Sequence, residues 1–119
     1  MSIKYAVITA AGLGTRTLPF SKELPKEMIP LVIKKKNRII IKPLIQIVFE
    51  DLYDAGLREF CIVVGRKKRT IEDHFTPDRW FLRYLKIKGK SQELEDLEDF
   101  YSKLEKSNIV WINQAEPRG

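Results

Sequence analysis

Tyr5-Ala6-Val7-Ile8-Thr9-Ala10-Ala11-Gly12-Leu13-Gly14-Thr15-Arg16 is the stretch that decides the fold. An apolar run closed by glycines reads as a buried strand that ends in a loop. The strand is expected over Ile3–Ala10, and the loop from Ala11 to about Glu27. Pro19, Pro25 and Pro30 argue against regular helix through that loop. Gly12 and Gly14 let a ligand approach the backbone, because no Cβ intervenes. Successive backbone N–H groups in such a turn can form an anion-binding concavity. Arg16 adds a fork of donors suited to phosphate, and Lys26 adds a point charge. The residues read as a phosphate-binding loop at a strand end. The plainer alternative is a glycine turn with solvated cations. Two phosphate signatures are absent. Thr17 stands where G-x-G-x-x-G needs its third glycine, and there is no G-x-x-x-x-G-K-[ST].

Outward from the loop, Met28–Ile33 is apolar and reads as a short strand. Lys34-Lys35-Lys36-Asn37-Arg38 then separates it from Ile39-Ile40-Ile41, a hairpin pattern with a five-residue basic loop. That loop reads as a solvated tip, with an anion or partner contact as the alternative. Pro43–Ala55 reads as a helix with Pro43 in its first position, Gly56 just past its end, and Leu44, Ile45, Val48, Phe49 and Leu52 recurring at helical spacing. Glu59–Val64 is a second strand, closed by Gly65. Strand, helix, strand implies a parallel pair, whose ligands lie beyond the carboxyl ends of the strands. The basic run Arg66–Arg69 reads as a solvated helix start, or as further phosphate contacts. Thr70–Phe75 is a short helix, and its His74 reads as a packing residue rather than a metal ligand. Asp78–Lys90 mixes aromatics and bases and is assigned to no element. Ser91–Lys106 is a helix with Ser91 as its N-cap, and its acids form a solvated face rather than a metal site. Ile109–Asn113 is a third strand, and Gln114 follows it.

At 119 residues the chain holds one domain at most, and 44% hydrophobic content supports a modest core. The net charge of +6 is unevenly spread. Residues 1–42 carry nine Lys/Arg against two acids, and residues 93–105 carry six acids against Lys103. A basic end attracts polyanions, and a nucleoside triphosphate is one. Nucleic acid is not the expected partner by this reading, because no nucleic-acid motif or aromatic-interleaved basic stripe is present. The lone Cys61 sits in an apolar run and reads as a small core residue of a cytoplasmic protein. No stretch has transmembrane length, so no membrane partner is expected.

The full string is more specific than its glycines. G-L-G-T-R-x-x-P (Gly12 to Pro19) followed by P-K-E-M-I-P-L (Pro25 to Leu31) resembles the sugar-1-phosphate nucleotidyltransferases. The P-K-E-M-I-P form is similar to the bacterial-type branch that uses UTP and glucose 1-phosphate; thymidylyl-transferring members usually carry S-K-Q-L-L-P. The resemblance resumes at K-P-L-I-Q (Lys42 to Gln46), at I-E-D-H-F (Ile71 to Phe75) and over Gln114 to Gly119. Members usually pass almost directly from P-L-V to K-P-L-I, so the Lys34–Arg38 region is an insertion against them.

That resemblance implies an α/β, Rossmann-like nucleotidyltransferase domain, a mostly parallel sheet with flanking helices. Residues 1–119 would be its N-terminal portion, stopping inside the fold. It implies nucleotidyl transfer from UTP to a sugar 1-phosphate, with UDP-glucose and pyrophosphate as products, and a magnesium ion as cofactor. Its catalytic residues would be Arg16, at the departing pyrophosphate, and Lys26, at the phosphate oxygens. Ala11, Gly12, Gly14 and Thr15 would line the nucleotide, with Gln114 and Gly119 at the base. The metal ligands would lie beyond Gly119, with none in this chain. Homo-oligomerisation is a further possibility of the reading. Transfer of another base or sugar, and a truncated, non-catalytic nucleotide-binding or interaction module, stay open as alternatives.

Overall fold

A computed structural model describes residues 5–114. Ile3 and Lys4, expected in the first strand, and Gly119, expected at the base, lie outside the described residues. The described chain runs β1 (Tyr5–Ala10), β2 (Pro30–Lys35), β3 (Arg38–Pro43), α1 (Leu44–Asp54), β4 (Glu59–Val64), α2 (Lys68–His74), α3 (Arg79–Ile87), α4 (Ser91–Glu105) and β5 (Asn108–Asn113). Three single turns of 3-10 helix lie between β1 and β2, at Thr15–Thr17, Phe20–Lys22 and Lys26–Met28. No continuous helix crosses this segment, as its prolines require.

β1, β4 and β5 form a three-stranded sheet in the order β1-β4-β5, and both pairings are parallel. The α/β expectation and the parallel relation of the three strands are borne out. Alternation sets the burial. Ala6, Ile8 and Ala10 of β1 and Phe60, Ile62 and Val64 of β4 turn to the helices and are buried. Tyr5, Val7, Val110 and Ile112 lie on the other face and are exposed. Cys61 is on that second face and only half-buried, so it is not the core residue its apolar run suggested. A strand of period two places every second residue of an apolar run away from the core.

α1 carries the centre of the core. Phe49 is fully buried, 4.7 Å from the Phe60 ring of β4 and 5.5 Å from Phe75 at the end of α2. Phe100 of α4 meets both Phe49 and Phe75 edge-on, and Phe75 in turn meets Trp111 of β5. Edge-to-face pairing of this kind adds to area burial. One aromatic cluster therefore joins α1, α2, α4 and two strands. α1 ends as its glycine predicts. Gly56 has φ 105, its N–H bonds Tyr53 O, and the Leu57 N–H reaches back to Leu52 O. That is a Schellman closure, with Leu57 and Leu52 both packed on the core.

Four expectations need correction. Pro43 is not the first helical residue: it is extended (φ −66, ψ 148), closes β3, and caps α1. The hairpin loop is two residues, not five. Lys35 pairs with Arg38, and Lys36 turns the chain at φ 54. Strand pairing thus absorbs Lys34, Lys35 and Arg38. Asp78–Lys90, left unassigned, contains α3. Its Asp78 side chain caps the Phe81 N–H at 3.0 Å, and Gly89 (φ 72) closes it. Ser91 is already helical. Lys90 is the cap of α4, because its carbonyl accepts the first helical bond, from Leu94. The turn between α3 and α4 is too short to leave Ser91 outside.

Truncating the core ring tests this account. Phe49→Ala should cost about 3–5 kcal/mol of folding stability, the usual range for a buried phenylalanine. Urea unfolding checks it; a loss under about 1 kcal/mol would mean that the ring is not the hub of the core.

Candidate functional site

The site begins with register. Ala10 pairs with Val64, and Val64 pairs with Asn113, so the three strands end level. The next residues, Ala11, Gly65 and Gln114, therefore stand side by side on one rim. Gln114 is tied there by its N–H to Val64 O at 2.7 Å. Gly65 and Ala11 touch. A Cβ on Gly65 would fall 2.9 Å from Ala11 O and 3.2 Å from its Cα. Only glycine lets the two loops leave the sheet this close together.

The loop after Ala11 folds around Ser21, which is fully buried. Gly14 sits at φ 70, and a Cβ there would meet Ser21 Cβ at 2.9 Å. Glycine is thus required at position 14 twice, by conformation and by space. Gly14 O gathers three donors: the Thr17 N–H at 3.1 Å, the Thr17 hydroxyl at 2.9 Å and the Ser21 hydroxyl. The Thr17 hydroxyl also contacts Ser21 Oγ at 2.7 Å. The position that breaks the dinucleotide fingerprint is therefore the one that ties this loop. Thr15 and Arg16 ride on the first 3-10 turn, and both are exposed.

Lys26 returns to the same place. A Cβ on Gly12 would lie 3.9 Å from its ammonium nitrogen, so the charge stands over the first glycine. The structure thus brings Ala11, Gly12, Gly14, Lys26 and Gln114 to one rim, with Thr15 and Arg16 on the adjoining turn. Arg16 and Lys26 are both exposed, and neither is ion-paired among the described residues. Preorganised N–H groups with unpaired cations suit a ligand rich in anionic oxygen. Sequence reasoning missed Lys67. From the turn before α2 its ammonium donates to Leu13 O at 3.1 Å and to Ser21 O. The basic run contains it, but nothing in that run distinguishes it from its neighbours.

Charges away from the rim are used differently. Arg38 of β3 forks onto both carboxylate oxygens of Asp96 in α4, and Lys35 joins at 3.4 Å. These hydrogen bonds hold the Asp96 carboxyl below the usual carboxylate range, Arg38 first and Lys35 after it. Within the basic insertion, Lys35 and Arg38 are paired strand residues rather than parts of a solvated tip. They clamp the hairpin to α4. Lys42 and Lys103 likewise flank the buried Glu50 carboxylate, at 2.6 and 3.4 Å. A cavity of about 530 Å³ opens between β3, α3 and α4, lined by Ile40, His74, Phe81, Leu97 and Phe100 among others. It is mostly apolar and distinct from the strand-end rim.

His74 packs as expected. Its ring stacks on Phe100 at 5.0 Å, and Nε2 lies 2.7 Å from Gln46 Oε1. Burial lowers its pKa, against a smaller opposing effect of the Glu50 charge. Among the described residues no three or more His, Cys, Asp or Glu side chains lie together as a metal site.

Comparison with known proteins supplies the remaining observations. The nucleotidyl transferase sequence pattern matches residues 5–96. A UTP–glucose-1-phosphate uridylyltransferase of Staphylococcus saprophyticus is 42% identical over 119 residues, covering all of this chain and 38% of that protein. The corresponding protein of Bacillus subtilis is 43% identical over 117 residues, 98% of this chain and 36% of its own. Among solved structures, an apo UDP-glucose pyrophosphorylase superposes with a TM-score of 0.81 at 34% identity, over 99% of this chain and 39% of that one. A UTP-bound UGPase from Acinetobacter baumannii also gives 0.81, at 31% identity, over 99% of this chain and 38% of its own. The chain thus spans well under half the length of each of these relatives.

Two measurements test the site's construction. Gly14→Ala should lose at least about 1–2 kcal/mol through the left-handed backbone alone. Gly12→Ala meets only the Lys26 ammonium and should leave the thermal midpoint unchanged. Equal midpoints for both variants would contradict the Ser21-centred loop. The depressed His74 pKa sets a pH dependence. The unfolded chain takes up that proton first, so stability is complete above the ordinary histidine range and falls as pH drops through it. His74→Gln should flatten the stability profile across that window, and a profile identical to wild type would remove His74 as its cause.

Proposed function

The chain belongs to the nucleotidyl transferase family, and on that premise we propose that it supplies the nucleotide-binding part of a UTP–glucose-1-phosphate uridylyltransferase. The supporting observation is the rim itself. Ala11, Gly65 and Gln114 stand level at three parallel strand ends, beneath a glycine loop and a lysine that makes no ion pair among the described residues. Brought to this chain, the UTP-bound and uridylyltransferase relatives supply the ligand for such a rim.

In the proposed reaction a phosphate oxygen of glucose 1-phosphate attacks the α-phosphorus of UTP. The bond from that phosphorus to the α,β-bridging oxygen breaks, and pyrophosphate leaves with the electron pair. UDP-glucose is the other product. Chemistry of this kind depends on alignment and on charge placed near the phosphates. The Gly12, Gly14 and Thr15 backbone would line the triphosphate. Lys26 would hold phosphate oxygens over Gly12, and Arg16 would neutralise the departing pyrophosphate. Gln114 would read uracil, with the Ala11 backbone opposite. Gly119, proposed at the same base, lies outside the described residues. We assign the complete enzyme a magnesium ion and a cytoplasmic site of action. The described residues form no ligand cluster for that ion. No helix among them is long and apolar enough to cross a membrane. Self-association of the complete protein belongs to the same proposal.

Uracil selection gives the test. An amide side chain can both donate and accept, which matches one uracil carbonyl and its adjacent N–H. Cytosine carries an acceptor where uracil carries that N–H, and purines are larger. Calorimetric titration should find UTP bound more tightly than CTP, ATP or GTP, with dTTP as the nearest competitor. Gln114→Ala should remove about 1–3 kcal/mol of that preference. Equal affinity for UTP and ATP in the wild type would defeat the uridylyl reading.

A further inference from the structure

We propose that Lys67 is a positioning residue for the nucleotide loop: its ammonium turns the Leu13 and Ser21 carbonyls inward and so aims the Gly14 N–H outward at the anion. The inference rests on the nucleotide reading above for the identity of that anion, and on the geometry alone for the loop.

Leu13 O and the Gly14 N–H belong to one planar peptide unit, which is trans, the cis bond in this loop being Leu18–Pro19. In a trans unit the carbonyl and the N–H point in opposite directions. Lys67 Nζ holds Leu13 O at 3.1 Å, so the Gly14 N–H faces away from Lys67. That N–H makes no hydrogen bond among the described residues. The next peptide unit is fixed by the same device. Gly14 O accepts from Thr17 and Ser21, so the Thr15 N–H points opposite to them. Two successive N–H groups are thereby oriented from behind, through their carbonyls. The second contact, from Lys67 to Ser21 O, joins the far arm of the loop to the first.

An ammonium is suited to this task. It offers three donors and no acceptor, so it can hold two carbonyls together. Lys67 reaches the loop from the segment that follows β4, which the Gly65–Ala11 contact already holds against β1. Its charge lies behind the loop, on the far side of the peptide units from the proposed triphosphate, and is occupied by carbonyls. Arg16 and Lys26, exposed and without an acid partner among the described residues, can meet phosphate directly. Lys67 therefore acts through Gly14 and does not touch the nucleotide.

The experiment compares the 119-residue chain with Lys67→Met and Lys67→Arg. The Gly14 and Thr15 amide resonances and their hydrogen exchange are recorded without nucleotide, and UTP affinity is measured separately. Lys67→Met should shift both amides, speed their exchange, and raise the UTP dissociation constant about tenfold or more, as the loss of one charge-assisted hydrogen bond implies. Lys67→Arg, whose fork can still hold two carbonyls, should restore the amide signals and most of the affinity. Unchanged amide signals in Lys67→Met would overturn the proposal. Lost UTP affinity with unchanged amides would also overturn it, since Lys67 would then be contacting phosphate directly. Shifted amides in Lys67→Met, together with a wild-type chain that binds no UTP, would leave the positioning role standing and refute the nucleotide reading instead.

Discussion

The contact between the Gly65 and Ala11 backbones is the constraint on which the rest depends. Two parallel strands can be brought level by hydrogen bonding alone, but their outgoing loops usually need space for side chains. Here the space is absent: a single Cβ on Gly65 would sit within 2.9 Å of Ala11 O. The β1 loop and the β4 loop therefore leave the sheet as one surface. Lys67 follows two residues after Gly65 and reaches the β1 loop because of that proximity. Gln114 joins the surface through its own bond to Val64 O. A site drawn from residues more than a hundred positions apart is thus set by three strand ends in register.

The helices serve the same arrangement from below. Phe49 fills the space between α1 and β4, and the rings of Phe75 and Phe100 close around it. A close-packed aromatic hub resists sliding of one strand along another, because any shift breaks several ring contacts together. Register, and hence the level rim, depends on that packing as much as on the strand hydrogen bonds.

Much of this was legible in the sequence, and the parts that were not share a reason. Continuous apolar runs ending in Gly12 and Gly65 read as buried parallel strands, because both signals are local. Gly56 announced the end of α1 for the same reason. α3 was missed although Asp78 and Gly89 mark its two ends, since its mixed aromatic and basic composition hides a stripe that buries little beyond Leu85. The hairpin loop was overestimated because a basic run suggests solvent, while in the fold Lys35 and Arg38 find Asp96 about sixty positions away. Ser91 lies inside α4 rather than at its cap, because the turn after Gly89 hands the first helical carbonyl to Lys90. At the site, Gly12, Gly14 and Lys26 were readable as a string. Lys67 was not, since its partners Leu13 and Ser21 are neighbours only after β1 and β4 pair.

The distribution of pairing separates the cations of a chain of net charge +6 into those tied to acids and those that are not. Lys35, Arg38, Lys42 and Lys103 are matched to Asp96 and Glu50, so their charge is spent on holding the hairpin, α1 and α4 together. Lys67 is turned to carbonyls. Lys22 meets Glu23 in an exposed pair that solvent largely screens. Arg16 and Lys26 are among the cations without an acid in the described residues, Lys26 at the glycine rim and Arg16 on the adjoining turn. A cation paired with a carboxylate must give up that partner before it can serve a phosphate, which weakens its net attraction. Leaving these two unpaired keeps their charge available for a polyanion. The loop segment thus keeps Lys26 over Gly12 and Arg16 on the next turn, both without an acid partner among the described residues.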